Sequence, residues 1–286
     1  MTPSLILCGK RFLLAQPLLM GVVNVTPDSF SDGGRYLDAD CAIRHAARLV
    51  EEGADLLDIG AESSRPGAQA LPVEEEKRRL LPVLTSCSGF GVPLSVDTYK
   101  PEIMRLAAQH GVAMLNDIWA FRQPGAQLAA LEAARSGTVL AIMHMRRAPA
   151  NMQDRPEYAD VVTQVHDFLA RRVAELQGHG VALAQMVVDP GFGFGKTVAH
   201  NLRLLRDLRA FATIGVPIMA GLSRKSTIGA ITDRATPDQR VHGSVAAALI
   251  AAQNGATILR VHDVAATRDA LRVWAAVNGS QPADDS

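Results

Sequence analysis

Eight apolar runs in this chain stop at residues that hydrogen-bond, carry charge or bend the backbone. Asn24 closes the first run and Asp58, with Glu62 close behind, the second. Asp97 closes the third, Asn116 and Asp117 the fourth, His144 the fifth, Asp189 the sixth and Gly221 the seventh; Arg260 and His262 close the eighth. One Asp at a strand end means little, because Asp often caps the next helix. Eight such ends together point to a shared site. Asp and Asn offer acceptors and amide donors to a flat heterocycle, whereas Arg, His and Asn offer donors to an anion. A pocket with both recognises a heterocycle carrying phosphate or diphosphate.

Two segments add to this set. In DPGFGFGKT (189–197) the first glycine of a phosphate-binding P-loop would fall on Pro190, and a GxGxxG reading meets Lys196 where its third glycine belongs. The glycines therefore serve a tight turn, with Phe192 or Phe194 free to cover an aromatic ring or to pack into the core. In GLSRKSTIG (221–229), Ser223, Arg224, Lys225 and Ser226 lie between the seventh run and a helix. There a Lys or Arg and free helix N–H groups can hold an anion, or simply form a solvated basic cap.

The runs that position these groups are 18–24, 55–60, 93–97, 112–116, 138–144, 186–189, 217–221 and 257–261. Stretches with helical spacing, such as 41–53 and 161–180, separate them, and Gly53, Gly111, Gly180 and Gly255 stand where left-handed helix caps are needed. Short continuous apolar strands alternating with helices predict a parallel sheet covered on both faces. Eight repeats fit a single-domain α/β protein, a closed (β/α)8 TIM barrel spanning 1–286, whose strand ends meet on one rim. A hairpin over 5–15, centred on Gly9-Lys10, is expected to close the opposite end, and the polar tail 279–286 to fray.

Composition narrows the function. With 29 basic and 29 acidic residues in 286, the totals hold no basic excess for nucleic acid. Three cysteines without a CxxC pair argue against a disulfide framework or zinc site and for a reducing, cytoplasmic setting. Lys10 and Arg11 interrupt the first apolar stretch, and no run is long enough to cross a bilayer.

The blocks NVTPDSFSDGG, ESSRPGA, VDTYKPEI, LNDI, MHM, DPGFGFGK, GLSRKS and RVHDV, in that order across 18–274, resemble dihydropteroate synthases. That resemblance implies a (β/α)8 barrel and a reaction: the amine of 4-aminobenzoate displaces diphosphate from (7,8-dihydropterin-6-yl)methyl diphosphate with the help of Mg2+. By matched position, Asp97, Asn116, Asp189 and Lys225 would bind the pterin, Met143 and Phe194 would sandwich it, and Ile118 and Gly221 would line the pocket. Asn24, Arg260 and His262 would hold the diphosphate, Asn24 also serving as a Mg2+ ligand. Phe30, Ser31 and Asp32 in one long loop and Ser64, Arg65 and Pro66 in another would close over 4-aminobenzoate, whose carboxylate would sit near Ser226.

One departure from the family pattern is Ser64, where a threonine is common. The Ser keeps the hydroxyl and loses a methyl. A methyltetrahydrofolate-dependent methyltransferase barrel would share the Asp/Asn rim, yet would need neither Arg260 and His262 nor the two long loops. A non-catalytic pterin-binding module is a further alternative. The Ala-rich segment 245–277 can supply a homodimer interface or pack within the barrel.

Overall fold

The computed structural model describes residues 4–25, 35–63, 70–146 and 156–279. It opens with the hairpin, β1 (Ser4–Leu7) and β2 (Lys10–Leu13), paired antiparallel with Leu7 opposite Lys10. Its two-residue turn is Cys8-Gly9 with φ of 48° and 74°. A turn with positive φ at both central residues matches strand twist and suits Gly at its second position. Lys10, expected within the turn, instead begins the second strand.

Eight parallel strands follow: β3 (Leu18–Asn24), β4 (Leu56–Gly60), β5 (Leu94–Asp97), β6 (Met114–Asp117), β7 (Val139–Met143), β8 (Met186–Asp189), β9 (Met219–Ala220) and β10 (Ile258–Val261). They are ordered β8-β7-β6-β5-β4-β3-β10-β9, and a bridge between Val188 and Ile218 brings the start of β9 beside β8, closing the ring. The seventh run yields only two ladder residues, because Pro217 has no N–H to give, although its carbonyl still accepts from Val188 at 3.0 Å.

Helices cover the outside: α1 (Arg35–Glu51), α2 (Val73–Cys87), α3 (Pro101–Gln109), α4 (Ala126–Arg135), α5 (Val161–Gly178), α6 (Val198–Arg206), α7 (Ser226–Thr232), α8 (Val241–Gln253) and α9 (Val264–Val277). The four expected caps at Gly53, Gly111, Gly180 and Gly255 have φ between 72° and 99°. α1 starts at Arg35, before the expected 41–53 stretch, and ends at Glu51. Among the described residues, no helix is long and apolar enough to cross a membrane.

The period-two alternation of strands divides the barrel into layers. Outward residues such as Leu19, Leu57, Val96, Leu115 and Ile142 join the helices in the main core. Inward residues at the strand starts, among them Leu18, Met20, Leu56, Met114, Val187, Met219 and Ile258, form a second cluster with Leu5, Leu7 and Leu14. The hairpin thus plugs the lower end with its buried leucines. That leaves the inward face at the C-terminal strand ends free for polar groups.

Candidate active site

Following the inward parity from that apolar layer toward the other rim gives Asn24, Asp58, Asp97, Asn116, Met143, Asp189, Gly221, Arg260 and His262. Of the strand-borne candidates from the sequence, all but Asp117 lie on this inward face. Asp117 shares the outward parity of Leu115. Its carboxylate accepts from the backbone N–H groups of Trp119 at 2.7 Å and Phe121 at 2.6 Å, holding a turn in which Ala120 and Phe121 have positive φ. His144 also serves structure, packed edge-on against Phe168.

Asp58 is the hub of the polar layer. Fully buried, it accepts from Ser95 Oγ at 2.6 Å, Asn116 Nδ2 at 3.1 Å and Arg260 Nε at 2.6 Å. Arg260 gives its Nη2 to Asp97 at 2.9 Å. Burial pushes the Asp97 carboxyl above its ordinary range; Arg260 opposes this, and the like charge of Asp58 adds to it. Burial works against the charge on Arg260, and the two carboxylates outweigh it.

Asp189 is 5% exposed and receives the N–H of Gly191 at 2.7 Å. Burial raises its pKa, with Lys225 as the main opposing influence. Lys225 Nζ donates to the Phe192 carbonyl at 2.6 Å and lies 4.6 Å from the centre of the Phe194 ring. Burial lowers its pKa to about 8, and Asp189 pulls the other way. Ile118, Met143, Met145 and Phe194 form an apolar wall, with Tyr99 and Trp119 against it. The two phenylalanines of the glycine-rich segment therefore divide: Phe192 enters the core and Phe194 faces the site.

The turn carrying them has strict needs. Gly191, Gly193 and Gly195 all have positive φ, and a Cβ on Gly191 would lie 2.0 Å from the His144 carbonyl oxygen. Lys196, 3% exposed, holds this turn from beneath. Its Nζ donates to the carbonyls of Gly191 at 2.9 Å and Phe194 at 3.0 Å, and lies 3.0 Å from His144 Nδ1. Burial pushes its pKa down to about 7, against the pull of Asp189.

At the neighbouring strand ends, Asn24 is half-buried at the end of β3. His262 is half-buried, with its N–H and Nδ1 at 3.1 Å and 3.0 Å from Ser223 Oγ. Burial, then Arg260 and Arg224, lower its pKa to about 3. Ser226 is exposed at the first residue of α7. Phe30, Ser31, Asp32, Ser64, Arg65 and Pro66 lie outside the described residues. The base of the second loop is described. Glu62 accepts from Leu71 N at 3.0 Å, Tyr99 Oη at 2.7 Å and Lys100 Nζ, and Lys100 also bonds Glu76 at 2.5 Å.

Ser95 and Lys100 were not singled out from sequence, and Asp58, Ser223 and Lys196 were named there without the contacts that place them in the site. Asp58 could have been found from its parity, two residues beyond inward Leu56. Nothing local marks Ser95, Ser223 and Lys100, whose partners come from distant strands and loops, whereas Lys196 bonds carbonyls of its own turn.

The pterin binding enzyme family matches residues 20–262. A dihydropteroate synthase of Neisseria meningitidis serogroup B is 49% identical over 269 residues, which is 92% of this chain and 94% of that protein. The solved structure of Xanthomonas albilineans dihydropteroate synthase with 4-aminobenzoic acid has a TM-score of 0.91 at 51% identity, covering 99% of this chain and 100% of that one. The Xanthomonas albilineans enzyme in complex with 7,8-dihydropteroate has a TM-score of 0.88 at 49% identity, covering 98% and 100%. At such identity and coverage the likeness carried by eight short blocks becomes membership: the chain belongs to the dihydropteroate synthase family.

Proposed function

We propose that this chain condenses (7,8-dihydropterin-6-yl)methyl diphosphate with 4-aminobenzoate, giving 7,8-dihydropteroate and diphosphate. The observation that carries the reading is the inward polar layer: two acceptor carboxylates, an amide and a lysine against an aromatic wall, with an arginine and a histidine beside them.

Asp189, held by the Gly191 N–H, is suited to accept the paired N–H donors of the 2-amino-4-oxopyrimidine edge. Asn116 has given one amide hydrogen to Asp58, which leaves its Oδ1 and second hydrogen for the neighbouring edge. Lys225 donates to ring O4 or N5, while Met143 and Phe194 flank the ring. Arg260 donates from Nε to Asp58 and from Nη2 to Asp97; among the described residues no hydrogen bond uses Nη1, which can donate to an oxygen of the diphosphate.

The methylene C–O bond breaks with its electron pair leaving on the diphosphate, before the amine attacks. The positive charge spreads into the dihydropterin ring, where Asp97 lies close enough to stabilise it. Arg260 and His262 stabilise the departing anion. The amine nitrogen then bonds the methylene and loses a proton. Arg65, with Asp32, belongs to the loops that would exclude water, a competing nucleophile, and Ser226 would sit near the carboxylate of 4-aminobenzoate.

Asn24 supports a role for Mg2+. Its side-chain oxygen is a hard donor on the same inward face, and Mg2+ characteristically takes one or two protein oxygens with substrate phosphates and water. When bound, the ion would offset negative charge on the diphosphate. The reducing, cytoplasmic setting expected from the cysteine count is supported by the free thiols of Cys8, Cys41 and Cys87. A homodimer is supported by exposed Ile250 on α8 and Val273 and Val277 on α9.

The test is a stoichiometric assay with both substrates and Mg2+. Equal yields of dihydropteroate and diphosphate are expected. Pterin binding without diphosphate release would make the chain a binding module instead.

A further inference from the structure

Ser223 and His262 sit on neighbouring loops, after β9 and β10, and the loops are bolted together. Arg224, at a φ of 59°, spans them with a bidentate contact to Asp263 at 2.6 and 3.1 Å. Its backbone N–H donates to Ser244 Oγ at 2.9 Å, and its carbonyl accepts from Arg240 at 2.9 Å. Each clamp residue adjoins one of the pair in sequence, so the Ser223 hydroxyl is fixed against the His262 ring.

Oγ of Ser223 lies 3.1 Å from the backbone nitrogen of His262 and 3.0 Å from its Nδ1. The backbone N–H can only donate, so Oγ accepts there. The hydroxyl hydrogen is then available for one acceptor. Among the described residues, the acceptor within reach is Nδ1. A neutral imidazole that accepts at Nδ1 carries its hydrogen on Nε2. The opposite tautomer would leave the hydroxyl of Ser223, a residue only 6% exposed, without an acceptor and present the Nε2 lone pair to an incoming anion.

We propose that Ser223 is a positioning residue that fixes His262 as its Nε2–H tautomer. The depressed pKa of His262, about 3, agrees with a neutral ring across the working range. Resting on the reading of His262 as a diphosphate donor, the consequence is that this histidine contributes a neutral N–H hydrogen bond to the leaving group. The Ser223 hydroxyl need not touch substrate to matter, because it decides which ring nitrogen carries the donor.

The test is nitrogen NMR of the full chain with 15N-labelled histidine, His262 being assigned by its loss in His262→Gln. In the unaltered protein the expected result is a protonated Nε2 and an unprotonated Nδ1, unchanged between pH 6 and 8. Ser223→Thr keeps the hydroxyl and should keep that pattern; Ser223→Ala should give a mixture of tautomers. Turnover should fall about 10–100-fold in Ser223→Ala, the scale seen for groups that orient a metal-binding histidine, with the KM for the pterin substrate within a few-fold and turnover rescued by Thr. A protonated Nδ1 in the unaltered protein, or an unmoved tautomer in a folded Ser223→Ala, would overturn the proposal. A shifted tautomer with unchanged turnover would leave the positioning role standing and remove His262 from the diphosphate reading.

Discussion

Arg260 Nε and Asp58 Oδ2 lie 2.6 Å apart although 202 residues separate them in the chain. This contact crosses β3 inside the barrel and joins β10 to β4. It sets the hierarchy of the site: Asp58 takes the shorter bond and is fully buried, while Asp97 shares the same guanidinium at 2.9 Å and stays partly accessible. Asp58 therefore acts as the fixed counter-ion, which leaves Asp97 as the carboxylate able to respond to charge on a substrate.

Asp58→Ala strips the counter-ion from Arg260 and the acceptor from Ser95 and Asn116 at once. Removing one partner of a buried ion pair typically costs about 3–5 kcal/mol. Urea denaturation should show a loss of that order, with Asp58→Asn less affected. A change under about 1 kcal/mol, the scale of an exposed pair, would mean that Asp58 is not the hub.

Pterin affinity and acceptor use should separate by residue. Asp189→Ala should abolish calorimetrically detectable pterin binding, since losing a buried, charge-assisted contact costs about 2–5 kcal/mol. Arg65→Ala should leave pterin diphosphate binding nearly intact, slow turnover and raise the KM for 4-aminobenzoate. Equal losses for both substrates in Arg65→Ala would make it a pterin-pocket residue.

The pH profile of pterin binding should carry the mark of Lys225, whose pKa burial lowers to about 8. Below that value the side chain is a cation and would donate to the ring; above it the charge is lost, so affinity should fall as pH rises through about 8. Lys196, lowered to about 7, titrates nearby through its loop contacts. Lys225→Arg separates the two, because Arg stays protonated and should shift the loss near pH 8 out of range. His262, at about 3, should add no acid limb near neutrality. Persistence of the step near pH 8 in Lys225→Arg would assign it to another group.

Much of this site was legible because its strands are short, continuous apolar runs whose last inward residues are polar. Asp97, Asn116, Asp189 and Arg260 announce themselves in that way. The hub role of Asp58 does not, because it depends on a strand at the far end of the chain. Phe192 and Phe194 could not be told apart until the positive φ angles of three glycines set which ring turns inward. Lys196 looked like a failed phosphate-loop lysine; its acceptors are backbone carbonyls that exist only once the turn has formed.

That turn gives a sharp stability test. Gly191→Ala places a side chain at a φ of 72° and a Cβ 2.0 Å from the His144 carbonyl oxygen. The conformation alone costs about 1–2 kcal/mol, and the clash forces the backbone to move. Thermal denaturation should show a loss beyond that figure, accompanied by weakened pterin binding because Asp189 and Phe194 share the turn. Near-normal stability would show that the turn is not confined as described.

Departure of diphosphate before amine attack is tested most directly by rapid-quench measurement of diphosphate with the pterin substrate and Mg2+, with and without 4-aminobenzoate. Slow release without the amine is expected, water closing the methylene cation to the hydroxymethyl pterin, and His262→Ala should slow both this release and the full reaction by about 10²–10³-fold. Complete absence of amine-independent release over many normal turnover times would contradict it and favour direct displacement.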